Sequence, residues 1–215
     1  MEELAKIAEE IRRCQRCPLY RQATQGVPGE GDARAKLVFV GEAPGYWEDQ
    51  KGIPFCGAAG RLLDRLMAGV GLKRSEVFIT NILKHRPPNN RDPLPPEIEA
   101  CTPFLERQLL AIKPKLVVTL GRFALNYFLP GEFISRVHGR LRRVRWRGMT
   151  VFVLPLYHPA AALRNGNVMR ELEKDFLKIK PALEWVERKG EEIDKERGKG
   201  RIEQPGLFEK REKAG

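Results

Sequence analysis

Two hydrophobic periods alternate along this chain, one near 3.6 residues and one made of short unbroken apolar runs. Leu4, Ile7, Ala8 and Ile11 recur at helical spacing and predict an amphipathic helix over Glu2 to Arg13. Leu37, Val38, Phe39 and Val40 form a run of the kind that serves as a buried parallel strand. Arg61 to Val70 reads as a helix ended by Gly71, and Val77 to Ile82 as a second strand that finishes on the polar Asn81. A helix over Glu97 to Ile112, a strand over Lys115 to Leu120 closed by Gly121, and a short helix over Arg122 to Phe128 follow. Gly139 to Pro155 predicts a hairpin turning at Arg147 and Gly148, with Thr150 to Leu154 as its buried arm. Beyond Tyr157, His158 and Pro159, a helix begins at Ala160 to Leu163 and a last one is expected from Met169 to Val186. Gln25 to Asp32 is expected to be loop.

This strand and helix alternation, with no internal repeat, predicts a three-layer α/β/α sandwich around a mainly parallel central sheet. Residues 1–186 are expected to form one domain, and residues 187–215 a charged, disordered tail with little to bury.

Composition narrows the picture. A chain of 215 residues, 42% hydrophobic and 31% charged, can bury one substantial core beneath a heavily charged surface. No apolar stretch approaches the roughly 18 residues of a membrane span, and the opening MEELAKIAEEIRR has no signal-peptide core, so a cytoplasmic protein with no membrane partner is expected. A formal net charge of +11 suits a polyanion partner, because neutralising phosphates releases counterions; a solvated basic surface, as in a thermophile, is the other reading. Cations concentrate in Lys84 to Arg91 and Arg136 to Arg147, stretches interrupted by Pro or Gly, as a DNA-facing loop or hairpin would be.

Four cysteines in such a chain point to metal more than to disulfides. Cys14 and Cys17 form a C-x-x-C that lets two thiolates converge on one ion or cluster, although such pairs also serve redox chemistry or zinc. Cys101 opens another helical pattern, and His85 is the best fourth ligand; Cys56, in PFCGAAG, reads as a small buried residue.

The stretch LVFVGEAPGYWEDQKGIPFCGAAG carries the densest candidate chemistry. Its strand breaks at Gly41, Pro44 and Gly45 into a turn where backbone amides can approach a ligand, and Glu42, Glu48 and Asp49 are expected to bring carboxylates to one rim. Asn81 and His158 close two other strands, and open α/β sheets place ligands at the carboxyl ends of their strands. An amide there can donate and accept at once, and Phe55 offers an aromatic face.

GEAPG with ED three residues on, PFCGAAG, TNILKHRPPNNRDP and YHPAAALRN, in that order over roughly residues 1–180, resemble the family 4 uracil-DNA glycosylases, a thermostable iron–sulfur class. The resemblance implies an enzyme of base excision repair that flips uracil out of DNA and hydrolyses its N-glycosidic bond, leaving an abasic site. It implies that Gly41, Glu42 and Ala43 hold uracil and position the attacking water, and that Glu48 walls the pyrimidine near C5 against thymine. It further implies that Phe55 stacks on the flipped base, Asn81 reads its Watson–Crick edge, and His158 donates to O2. Pro159, Ala160, Arg164 and Asn165 would enter the duplex, with Arg86 also on the DNA. Cys14, Cys17 and Cys101 match cluster ligands.

One position departs from the family pattern. Where the family usually carries Cys in K-C-R-P-P, this chain has Lys84-His85-Arg86-Pro87-Pro88, so a [4Fe–4S] cluster with one imidazole ligand and a Cys3His zinc site both stay open. A superfamily variant that traps uracil covalently, and a non-catalytic metal-stabilised DNA-binding module, are the rival functions. The chain is expected to act as a monomer on uracil-containing DNA. In the tail, Gln204, Leu207 and Phe208 stand as an apolar patch among charges and resemble the short peptides that dock on sliding clamps.

Overall fold

Alternation inside the buried strands divides the core between two faces of one sheet. Val38, Val40, Val117 and Val153 face one apolar cluster, and Leu37, Phe39, Ile79, Leu116, Val118 and Leu154 face the other. A strand buried on both sides must be covered by helices on both sides, and that requirement produces the expected α/β/α sandwich.

The computed structural model describes residues 2–198, and side chains through residue 189. In chain order the elements are α1 (Glu2–Arg12), β1 (Glu30–Gly31), β2 (Leu37–Gly41), α2 (Tyr46–Lys51), α3 (Ala58–Gly69), β3 (Phe78–Asn81), α4 (Pro95–Ile112), β4 (Leu116–Leu120), α5 (Arg122–Phe128), α6 (Ile134–Val137), β5 (Arg142–Trp146), β6 (Met149–Leu156), α7 (Pro159–Ala162), α8 (Gly166–Phe176) and α9 (Ile179–Gly198). Short 3-10 turns lie at Pro18–Arg21, Arg74–Glu76 and Pro88–Asn90. The six strands are ordered β1-β3-β2-β4-β6-β5. The inner pairs β3–β2, β2–β4 and β4–β6 are parallel, and both edge strands run antiparallel.

Ile7 and Ile11 of α1, Phe104, Leu105 and Leu109 of α4, and Ala124 and Phe128 of α5 cover one face. Leu62, Leu63 and Met67 of α3, Leu172 and Phe176 of α8, and Ile179 and Val186 of α9 cover the other. There Phe39 stacks on Phe176 with ring centroids 6.1 Å apart. Parallel register sets Gly41 level with Asn81, and Leu120 level with Leu156, so the carboxyl ends of four strands finish at one edge of the sheet. Beyond the strands, the Ile82 and Leu83 N–H groups donate to the Gly41 and Glu42 carbonyls at 3.0 and 2.9 Å, which extends the pairing into the loops.

Three expectations need correction. The single helix foreseen over Met169 to Val186 is two, α8 and α9, broken at Leu177 and Lys178. Pro181 favours the break: it has no N–H for the Leu177 carbonyl and its ring crowds that carbonyl, so it sits in the first turn of a new helix, where its missing N–H costs nothing. The second helix then continues past Val186 to Gly198, and Glu187 forms a 2.7 Å ion pair with Lys36. Glu30 and Gly31, expected as loop, pair antiparallel with the exposed edge of β3. Cys56 is half-exposed and not buried.

The hairpin turns at Arg147 and Gly148 as expected, both with positive φ (48° and 78°), the geometry that matches strand twist in a two-residue connection. No described helix is long and apolar enough to cross a membrane. Gln204, Leu207 and Phe208 lie outside the described residues.

Candidate active site

A cleft of about 440 Å³ opens at the carboxyl edge of the sheet. Into it the chain delivers Glu42 and Ala43 after β2, Asn81 at the end of β3, and His158 after β6, with Glu48 of α2 and Phe55 from the α2–α3 connection completing the wall. The sequence separates these residues widely, and the shared strand ends bring them together.

Gly41 lies behind the lining residues and sets how closely they approach. A Cβ there would lie 2.3 Å from Asn81 Oδ1 and 2.6 Å from the Phe55 ring, closer than atoms can pack, so only glycine lets these two side chains converge. Phe55 is buried, and its ring stacks near that of His158 with centroids 5.6 Å apart and planes 29° apart. Its backbone has φ 51°, a left-handed conformation that costs a non-glycine residue free energy. Two features hold it there: Arg74 donates to the carbonyls of Pro54 and, at 3.4 Å, Phe55, and Gly60 leaves room for the Phe55 carbonyl, which a Cβ would meet at 1.6 Å.

Asn81 is buried, and its Oδ1 has no hydrogen-bond partner among the described residues. A buried unpaired acceptor typically costs about 1–3 kcal/mol, so its persistence in a cleft wall marks a position awaiting a donor. His158 Nδ1 accepts the Ala160 N–H at 3.1 Å. That bond leaves the ring proton on Nε2 as a donor, and burial, reinforced by Arg164, lowers the imidazole pKa to about 4, so the ring is neutral at working pH.

Burial raises the Glu42 carboxyl to about 7; Asp92 adds to the rise and Arg122 opposes it. Asp92 and Arg122 are themselves an ion pair in the cleft wall. Glu48 Oε1 accepts the Gly57 N–H at 2.9 Å, which fixes that carboxylate in the wall at the start of α3.

Asp49, expected on the same rim, is instead buried: its oxygens accept from Thr24 N at 2.9 Å and Thr24 Oγ1 at 2.7 Å, anchoring α2 to the preceding loop. Ala160 and Arg164 line the cleft, and Pro159 is buried at the first position of α7. Asn165 caps α8, accepting from Asn167 N at 2.9 Å and Val168 N at 3.3 Å, so its side-chain oxygen is engaged in the fold. Arg86 stands outside the wall, with Nε donating to Asn90 Oδ1 at 2.7 Å. Asn90, Arg91, Asp92 and Arg122 line the cleft unforeseen. Arg122 follows β4 as Glu42 follows β2, so the strand-end rule could have found it. Arg74 acts from a distant 3-10 turn and leaves no such signal.

Cys14, Cys17 and Cys101 share a neighbourhood beyond Asn81, apart from Cys56. Cys101 Sγ accepts the Lys84 N–H at 3.2 Å, and Cys17 and Cys14 act electrostatically on the Cys101 thiol, which burial pushes up to about 12. Lys84 is fully buried; its Nζ donates to Thr80 Oγ1 at 2.7 Å and to the Asn81 carbonyl and Gln108 Oε1 at 2.8 Å. The next residue, His85, is buried, and burial lowers its pKa, with Asp49 opposing. The donor types suit iron or zinc, and three thiols share one neighbourhood, but no group of three donors reaches metal-binding geometry among the described residues.

Known proteins place this cleft in a family. The uracil DNA glycosylase superfamily description matches residues 28–184. The chain is 50% identical to a type-4 uracil-DNA glycosylase of Archaeoglobus fulgidus over 83% of this chain and 92% of that one. It is 47% identical to one from Saccharolobus solfataricus, over 85% and 88%. A type-4 enzyme of Thermotoga maritima is 41% identical, over 88% of this chain and 98% of its own. With the family description and these likenesses over most of each chain agreeing, the chain belongs to the uracil DNA glycosylase superfamily, among the type-4 uracil-DNA glycosylases.

Proposed function

We propose that this protein excises uracil from DNA by hydrolysis and leaves an abasic site. The observation that carries the reading is the orphaned Asn81 acceptor over Gly41, in a cleft whose other wall is a neutral histidine. Uracil offers an N3–H donor beside two carbonyl acceptors, so Asn81 Oδ1 takes N3–H while the amide nitrogen donates to O4. Cytosine presents the opposite pattern at both atoms and leaves the buried amide mismatched.

Uracil in a duplex is unreachable until flipped, and stacking on Phe55 offsets part of that cost. Glu48, fixed by the Gly57 N–H, is assigned the wall that excludes a C5 methyl. Glu42 takes a proton from water as the water oxygen bonds C1′; the C1′–N1 bond breaks and its electron pair stays on the base. His158 Nε2–H donates to O2 of the departing anion, a bond that strengthens as charge develops. None of the described residues lining the cleft is a lysine, and the Lys84 amine is occupied by three oxygens, which supports a glycosylase without Schiff-base lyase chemistry. Arg86, Arg164, Pro159 and Ala160 are assigned to the DNA surface around the cleft, and Asn165 supports that loop by capping α8.

Cys14, Cys17, Cys101 and His85 are assigned to a [4Fe–4S] cluster, with zinc as the alternative. The support is the family resemblance, the three neighbouring thiols and the attachment of Lys84 to both Cys101 and Asn81. When bound, the metal would supply positive charge that holds the thiols deprotonated and ties α1 and α4 to the segment after β3. The chain's own residues do the hydrolysis.

Three outcomes are expected. His158→Ala lowers the single-turnover rate of uracil release from a single-uracil oligonucleotide by at least about a hundredfold while changing DNA affinity little; equal losses in both would make it a docking residue. With Glu42 near 7 and required as carboxylate, kcat/KM rises about tenfold per pH unit below about pH 7 and levels off above it, and Glu42→Gln removes the rise. His158 contributes no second limb there, because it is neutral above about pH 5. Metal analysis of anaerobically purified protein finds iron and sulfide, and His85→Ala lowers the iron content; zinc without iron would replace the cluster assignment.

A further inference from the structure

Two large aromatic side chains stand in water beside the cleft, with no part in the chemistry above. Tyr46 and Trp47, the first residues of α2, are 50% and 55% exposed. The opposite side of this short helix is tied down through Asp49 to Thr24 and through Glu48 to Gly57. The pair is therefore held on a fixed support at the cleft mouth, next to the wall residues Gly45 and Glu48. Their rings meet edge to face, with centroids 5.2 Å apart and planes 80° apart. Each carries a cation on one side: the Arg86 guanidinium lies 5.2 Å from the Tyr46 centroid and Lys51 Nζ lies 5.9 Å from that of Trp47.

We propose that Tyr46 and Trp47 form a stacking platform for unpaired nucleotides flanking the flipped uracil, with Arg86 and Lys51 meeting the phosphates. The inference rests on the glycosylase reading and deepens it to a preference for single-stranded DNA around the lesion. Aromatic faces interleaved with cations are what a single strand needs, since every base has a π-face and every linkage a negative charge. Paired bases are already stacked on their neighbours and cannot lie on such a surface. A rigid amphipathic pair also loses little side-chain freedom on binding, unlike a patch of flexible apolar chains.

The test measures affinity for a uracil-free oligothymidylate and for a uracil-free duplex of equal length, at one fixed salt concentration, for the full chain and a Tyr46→Ala, Trp47→Ala double variant. The expected result is a loss of about tenfold or more on the single strand, a much smaller loss on the duplex, and unchanged uracil release from a duplex substrate at saturating enzyme, which also shows that the variant folds. A Tyr46→Phe, Trp47→Phe variant should keep most of the single-strand affinity, because it keeps the faces. An unchanged affinity for the single strand, or equal losses on both probes, would overturn the platform. Because the binding probes carry no uracil, a wild-type protein that released no uracil would defeat the glycosylase reading by a separate measurement.

Discussion

The missing side chain at Gly41 is the constraint on which the rest of the site depends. Parallel register between β2 and β3 sets Gly41 level with Asn81, and the space above that glycine is where the Asn81 amide and the Phe55 ring converge. Phe55 reaches it only through a strained backbone, held by Arg74 on its carbonyl and by the gap over Gly60. A pocket for a flat ring thus comes from two absent Cβ atoms and one enforced φ angle. The sheet supplies the rigidity that makes such tolerances meaningful.

Burial then sets the chemistry. Burial raises the Glu42 carboxyl to about 7 and keeps His158 uncharged, so one cleft holds a carboxyl that titrates near neutrality and a neutral imidazole N–H donor. The Ala160 N–H decides which imidazole nitrogen carries the proton, a local consequence of α7 starting directly after His158. Behind the site, Lys84 bonds the Asn81 carbonyl through its amine and Cys101 through its backbone, so the strand end that carries Asn81 is continuous with the Cys101 region.

Much of this was legible in the chain. Apolar runs located the four parallel strands, and the candidates at or just past their ends, Gly41, Asn81 and His158, come together because carboxyl strand ends share one edge. Illegible features depended on partners far away in sequence. Asp49 reads as one more rim acid until Thr24 is seen to enclose it, and β1 exists only because β3 offers an unpaired edge. Arg74 lies in a charged turn with nothing to distinguish it from neighbouring cations. The break before α9 had a signal in Pro181, which disfavours continuity, but apolar periodicity on both sides of it suggested one helix.

The central claim is that the Asn81 amide, suspended over Gly41, chooses uracil by its N3–H and O4 atoms. Asn81→Asp tests it most directly, because the change keeps size and shape but replaces the donor facing O4 with an acceptor. Release of uracil and of cytosine should be measured from otherwise identical oligonucleotides. The account predicts that uracil release falls by at least about a hundredfold and that cytosine release, negligible in the wild type, becomes detectable. Uracil release left within a few-fold of wild type, with no cytosine release, would contradict it.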